Sequence, residues 1–160
     1  MSTTFNADEI FEIAKQIERN GAAFYRKAAD RNPKAKDMLL GLAAQEDEHL
    51  ARFQQMQKDL SAGQKESTAY DPDNQGVLYL QAMASGHVFD LNKDPAALLK
   101  GAGNLKDILK IAIGLEKDSV LFYLGIREMV PHKLGADKVD LIVKEEMRHM
   151  TALSQALAKA

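Results

Sequence analysis

Six residues of this sequence combine types and spacing that suit metal chemistry. Glu46 and His49 stand three apart, as do Glu146 and His149, and single glutamates occupy positions Glu18 and Glu116. On a helix, a Glu and a His at i and i+3 share a face one turn apart. Both can then reach one ion, while the carboxylate is free to bridge to a second. Four carboxylates neutralise two divalent cations and tolerate the charge gained when the metals are oxidised. Oxygen and nitrogen donors of this kind suit Fe or Mn, with Zn as a possible substitute. The sequence has no cysteine, which removes disulfides, thiol catalysis, iron–sulfur clusters and cysteine-ligated zinc. Any metal must therefore be held by Glu, Asp and His.

A weak internal repeat singles these six out. Ile13 to Tyr25 (IAKQIERNGAAFY) aligns with Ile111 to Tyr123 (IAIGLEKDSVLFY) at an offset of 98, pairing Glu18 with Glu116. Glu46 to His49 (EDEH) aligns with Glu146 to His149 (EMRH) at an offset of 100. A lone Glu-x-x-His carries little information, because both types are common on helices. A lone inward Glu is more often a surface residue out of phase. Six such residues in matched repeats, on faces otherwise apolar, are a different matter. Four carboxylates in a dry core without counter-charge would be severely destabilising.

The elements that must position them are helices. Phe11, Ala14, Glu18, Ala22, Tyr25 and Ala29 follow the 3–4 spacing of one helix face over residues 8–30. Leu39, Leu42, Glu46, His49, Phe53 and Leu60 do so over 33–60. Asn6 is the candidate cap of the first segment, and Asn32-Pro33 separates the two. Gly63 follows the second, as a C-cap should. Leu109, Ala112, Glu116, Val120 and Tyr123 share a face over 105–130, with Asn104 as the cap and Asp107 at N3. Val139, Ile142, Glu146, His149, Leu153 and Leu157 share one over 137–158, after a turn at Pro131 and Gly135. Residues 61–104 form a long connection with a short amphipathic helix expected over 77–89 and another starting at Asp94-Pro95. Four long helices, two short turns and one long crossover make a known bundle topology. The expectation is one domain over 1–160, with helix pairs 8–60 and 105–158 and a crossover over 61–104.

Heights agree with this. The turns centre near Asn32 and Pro131, so at 1.5 Å per residue all four glutamates lie roughly 21–23 Å from their turns. If the crossover places the turns at opposite ends, both pairs meet at the middle of the bundle.

Composition narrows the function class further. The 160 residues carry 21 Lys+Arg against 23 Asp+Glu, a formal charge of -2, which leaves no electrostatic footprint for nucleic acid or an anionic membrane. No apolar stretch approaches the roughly 18 residues of a membrane span, and the N-terminus does not read as a signal peptide. The expectation is a cytoplasmic protein with neither nucleic-acid nor membrane partners.

With Glu18, Glu46-Asp-Glu-His49, Glu116 and Glu146-Met-Arg-His149 in view, the sequence resembles the ferritin-like superfamily, and within it the diiron domain of the rubrerythrin family. The resemblance implies an all-α, ferritin-like four-helix bundle with one long crossover. It implies two iron ions, one held by Glu18, Glu46 and His49, the other by Glu116, Glu146 and His149, with Glu46 and Glu146 as bridging candidates. The implied activity is oxidation of Fe(II) and reduction of hydrogen peroxide or dioxygen. A homodimer is implied as well. Two departures stand out. Rubrerythrins usually carry a four-cysteine iron module, absent from this chain, so electrons would come from an external donor protein or from Fe(II) itself. They also carry a further Glu three after the third-helix ligand, where this chain has Ser119, and Gly21 at the repeat-related position. The remaining six-ligand set looks more like that of bacterioferritin. An iron-storage or iron-delivery ferroxidase is the alternative, and a metal-binding bundle without enzymatic activity is a third reading.

Other residues invite comparison. Tyr25 and Tyr123 stand seven after Glu18 and Glu116 on the same faces. They are placed to hydrogen-bond a site carboxylate from the facing helix or to carry a transient radical, against the plainer reading of satisfied core aromatics. His132 reads as solvated, and His87 as packed under the crossover. Asp47, Glu48 and Glu145 read as solvent-facing or as partners of the ligands. Gly21, Gly41, Gly114 and Gly125 lie inside helices, where they either permit close packing or leave room for a substrate.

Overall fold

A computed structural model describes residues 7–63, 75–84, 94–130 and 135–160. Helix α1 spans Ala7–Arg31, and α2 spans Lys36–Gly63 after a 3-10 turn at Pro33–Ala35. Helix α3 is Gln75–Ala84, and the single turn α4 is Pro95–Leu98, followed by a 3-10 turn at Leu99–Gly101. Helix α5 is Leu105–Met129, and α6 is Ala136–Lys159. The sequence expectations at Asn6, His87, Pro131 and His132, for the 77–89 helix beyond residue 84, and for the Leu60 side chain lie outside the described residues.

The ends of the helices follow from local chemistry. Asn104 caps α5, its side chain accepting from the Asp107 N–H at 3.1 Å. Asp107 Oδ2 in turn accepts from the Gly103 N–H, so the acid at N3 reaches back past the cap. Gly135 precedes α6 with φ 119°, a left-handed conformation that L side chains rarely adopt. A Cβ there would also lie 3.1 Å from the Met56 methyl group. Pro33 sits in a 3-10 turn and α2 starts only at Lys36, so this helix does not begin at residue 33 as the 33–60 segment suggests. The extra turn arises because Asn32 folds back twice. Its backbone N–H bonds to Ala29 O at 3.2 Å and its side-chain amide to Ala28 O at 2.8 Å, while its carbonyl accepts from Ala35. Gly63 is the last residue of α2 and not the residue beyond it.

The apolar core forms two clusters. One joins Ile10, Phe11 and Ala14 of α1 to Phe53 and Met56 of α2, Val120 to Met129 of α5, and Val139 to Val143 of α6. The other joins Phe24 to Ala29 of α1 to Leu39 to Ala43 of α2, Ile108 to Ala112 of α5, and Leu153 of α6. The start of α1 therefore lies beside the end of α2, the end of α5 and the start of α6. The α1–α2 turn lies at one end of the bundle and the α5–α6 connection at the other, which is the arrangement that makes the glutamate heights coincide. The crossover travels between the ends. Leu80 and Met83 of α3 join the first cluster, while Leu99 and Ala102 join the second. Arg31 ties the arriving chain to α1 by donating to the carbonyls of Leu99 and Ala102. Helix α3 lies on α5, with the Tyr79 hydroxyl donating to Leu121 O at 2.6 Å. No helix among the described residues is long and apolar enough to cross a membrane.

Candidate metal centre

Between the two apolar clusters, every long helix contributes one polar turn. Glu18, Glu46, His49, Glu116, Glu146 and His149 are all buried, at 4% exposure or less. They form two overlapping groups. One oxygen or nitrogen from each of Glu18, Glu46, His49 and Glu146 lies within 4.8 Å of the others, and the same holds for Glu46, Glu116, Glu146 and His149. Glu46 and Glu146 belong to both groups, and Glu18 and Glu116 to one each. Each group mixes residues from both hairpins, because α1–α2 and α5–α6 meet at this level.

Each imidazole turns its Nδ1 toward the carboxylates and its Nε2 away. His49 Nδ1 lies 3.1 Å from Glu146 Oε1 and 3.6 Å from Glu18 Oε2. His149 Nδ1 lies 2.9 Å from Glu146 Oε2, 3.3 Å from Glu46 Oε1 and 3.5 Å from Glu116 Oε1. The two rings stack with centroids 5.6 Å apart and planes at 18°. On the outward side, His49 Nε2 donates to Glu145 Oε2 at 2.8 Å, and Arg52 donates to that same oxygen at 2.7 Å. His149 Nε2 donates to Gln45 Oε1 at 2.8 Å. The single glutamates are held by phenols from the opposite hairpin: Tyr25 donates to Glu116 Oε1 and Tyr123 to Glu18 Oε1.

Without metal, protons balance the charge of the site. Burial, then repulsion from Glu46, pushes Glu18 well above the ordinary carboxyl range. Burial likewise lifts Glu116, to about 8. Burial works against charge on His49, but Glu146 and Glu18 outweigh it and raise the imidazole to about 11. Glu116, Glu146 and Glu46 do the same for His149, to about 12. Burial and Glu46 push Glu146 up, yet the close approach of His149, His49 and Glu116 to its carboxylate leaves it below its usual value. These residues therefore share protons as one set, with Glu18, Glu116 and both imidazoles shifted toward their protonated forms and Glu146 toward its ionised form. Burial and the adjacent glutamates raise both tyrosines well above 10, so each remains a phenol that donates.

The protons do not satisfy the site. Glu18 Oε2, Glu46 Oε1, Glu146 Oε2 and His149 Nδ1 are buried with no hydrogen-bond partner among the described residues. His149 Nδ1 is close to Glu146 but not aligned with it. A buried polar atom left unpaired costs about 1–3 kcal/mol. Four such atoms, all on residues of the two groups, fit a pair of divalent cations. Gly21 belongs to this fit, because a Cβ on it would stand 3.3 Å from the Glu46 carboxylate. Its absence leaves that side chain room to rotate.

The sequence pattern points to these six residues and to Tyr25 and Tyr123 beside them. Of the acids grouped with them, Asp47 pairs with Arg26 on the surface and Glu48 is exposed, while Glu145 contacts His49. Gln45 and Arg52 were not singled out. The offset of 100 pairs Gln45 with Glu145 and Arg52 with Ala152, so the repeat by itself marks neither as a partner of the histidines. Gly125, Gly41 and Gly114 do not share this fit. Gly125 lets α3 approach α5, and the other two have nothing within 4 Å among the described residues.

No protein-family model matches the chain. No curated protein matches it either. Among solved structures, it is similar to the crystal structure of a Thermotoga maritima protein described as a ferritin-like diiron-carboxylate protein. The TM-score is 0.68 and the identity 22%, over 99% of this chain and 98% of that one. This likeness establishes a ferritin-like fold, and the buried Glu/His cluster that the fold carries here offers the donors of a two-metal site.

Proposed function

We propose that the chain is a rubrerythrin-like, non-haem diiron-carboxylate oxidoreductase that oxidises Fe(II) and reduces hydrogen peroxide or dioxygen. The observation that carries this reading is the pair of overlapping ligand groups sharing Glu46 and Glu146. Overlap of that kind would let two ions be held side by side and act together on one small substrate. When bound, two ferrous ions supply the two electrons that, with two protons, reduce hydrogen peroxide to two water molecules. The protein supplies the rest. Glu46 and Glu146 hold both positions in register. Glu18 and Glu116 each face one position and keep a hydrogen-bonded oxygen on a tyrosine. Phe11, Phe53, Val120 and Val143 on one side, with Ala43, Ala112 and Leu153 on the other, keep bulk water from the layer. With no cysteine in this chain, the proposed electron source is Fe(II) itself or a separate donor protein. A cytoplasmic homodimer is part of the proposal.

Anaerobic titration with Fe(II), followed separately by peroxide and by air, tests it. Two ions per chain are expected, with rapid oxidation by at least one oxidant. Glu46→Ala and His149→Ala are each expected to abolish Fe(II)-dependent peroxide consumption, and unchanged turnover in either variant would sink the assignment. A large assembly filling with mineral in air would favour iron storage instead.

A further inference from the structure

The two halves of the centre match in every inner donor. Each position has one imidazole, one single glutamate with a tyrosine behind it, and the shared pair Glu46 and Glu146. They differ in what stands behind the imidazole. His49 Nε2 donates to a carboxylate, Glu145, which Arg52 holds by the same oxygen. His149 Nε2 donates to a neutral amide, Gln45. The two backing residues are repeat mates, each immediately before the Glu of its Glu-x-x-His, and each crosses to the other hairpin's histidine. A carboxylate that accepts the outer N–H draws the proton toward itself and makes the inner nitrogen a stronger donor to a cation. A neutral amide does this less. The carboxylate also brings a formal negative charge close to one position. Arg52, 39% exposed, offsets part of that charge while fixing the carboxylate in place.

Resting on the two-metal reading above, we propose that the two positions are functionally unequal. The Glu145–Arg52 pair makes the His49 position the one that fills first and retains its ion, and Gln45 leaves the His149 position as the exchangeable one. Glu145 and Gln45 are positioning residues that act through the histidines. The other repeat difference beside the site, Gly21 against Ser119, adjoins Glu46, a member of both groups, and so does not by itself rank the two positions.

Stepwise anaerobic titration of the full chain with Co(II), read by its visible absorption and by calorimetry, tests the proposal. Wild type is expected to bind two Co(II) in two resolved steps whose affinities differ on the order of tenfold. Glu145→Gln is expected to weaken the first step by about the same factor and leave the second in place, so that the steps merge. Gln45→Glu is expected to tighten the second step, and the double exchange to reverse the order of filling. The order is read from His49→Ala, which should lose the tighter step, and from His149→Ala, which should lose the weaker one. Circular dichroism of each metal-free variant reports whether it folds. Two indistinguishable steps in wild type, or steps unmoved by Glu145→Gln in a folded variant, overturn the inequality while leaving the two-metal reading intact. No Co(II) uptake by wild type overturns the two-metal reading itself, and the inequality with it.

Discussion

At the scale of single residues, the centre is a set of groups whose charges are tolerable only in company. Glu18 shows this best. Burial and Glu46 favour its protonated form when metal is absent, and Tyr123 donates to its other oxygen. Glu18→Gln replaces a protonated acid by a neutral amide of the same shape, still able to accept from Tyr123. The metal-free variant is therefore expected to melt close to wild type, because one neutral hydrogen-bonding group replaces another of the same shape and the Tyr123 bond is kept. Two-ion loading should nevertheless fail, because an amide cannot supply the missing negative charge. Scanning calorimetry and metal analysis of one sample check both halves of this expectation. The six inner residues were legible in the sequence because i, i+3 spacing and the repeat are local signals. Gln45 and Arg52 were not, because each acts on a histidine or acid of the other hairpin, about a hundred positions away, and nothing in local spacing announces such a pairing.

At the scale of elements, the glycines separate two kinds of helix surface. A Cβ at Gly125 would stand 2.6 Å and 2.7 Å from the Tyr79 ring and 3.0 Å from a Leu80 methyl. Gly125→Ala gains about 1 kcal/mol of helix propensity but overpacks the α3–α5 contact at a cost of roughly 1–3 kcal/mol. A net loss of about 1 kcal/mol is expected. Gly41→Ala and Gly114→Ala meet no described neighbour, and each should gain up to about 1 kcal/mol. Urea unfolding of the three variants side by side decides the matter. The helices themselves were readable from periodicity, and the buried faces of α1, α2 and α5 are the faces that pattern gave wherever their side chains are described. The start of α2 was less so. Proline marks a boundary without saying whether a 3-10 turn precedes the helix, and here the hydrogen bonds of Asn32 decide that. Whether α3 packs on its own bundle was likewise beyond the sequence, since a helical glycine does not identify what approaches it.

At the scale of the whole molecule, protonation of the centre ties stability to pH. Glu116, His49 and His149 all bind protons more tightly in the folded chain than in the unfolded one. Each therefore contributes stability that is complete below its unfolded value and is lost as pH rises through its folded value. For Glu116 that window runs from 4.5 to about 8, and for His49 from 6.5 to about 11. Metal-free protein is expected to melt several degrees lower at pH 9 than at pH 6, a direction set by linkage. Metal-loaded protein should lack this fall, because ions replace the protons and bind better as protons leave. Thermal melts with and without chelator measure it. The topology was legible at this scale because equal distances from each turn leave opposite-end turns as the arrangement that brings four glutamates to one level.

The polar layer has one more consequence, for the rate at which the molecule comes apart. Contacts are dense inside each hairpin and sparse between them, whereas each ligand group spans both. Two ions at this level would act as rivets through the seam. Separation of the hairpins would then have to wait for an ion to leave, and the lifetime of the native state would follow metal dissociation. Unfolding in a fixed concentration of urea should accelerate on addition of a strong chelator and level off at a ceiling set by ion release. An unfolding rate indifferent to chelator in the loaded protein would show that the apolar clusters alone hold the seam closed.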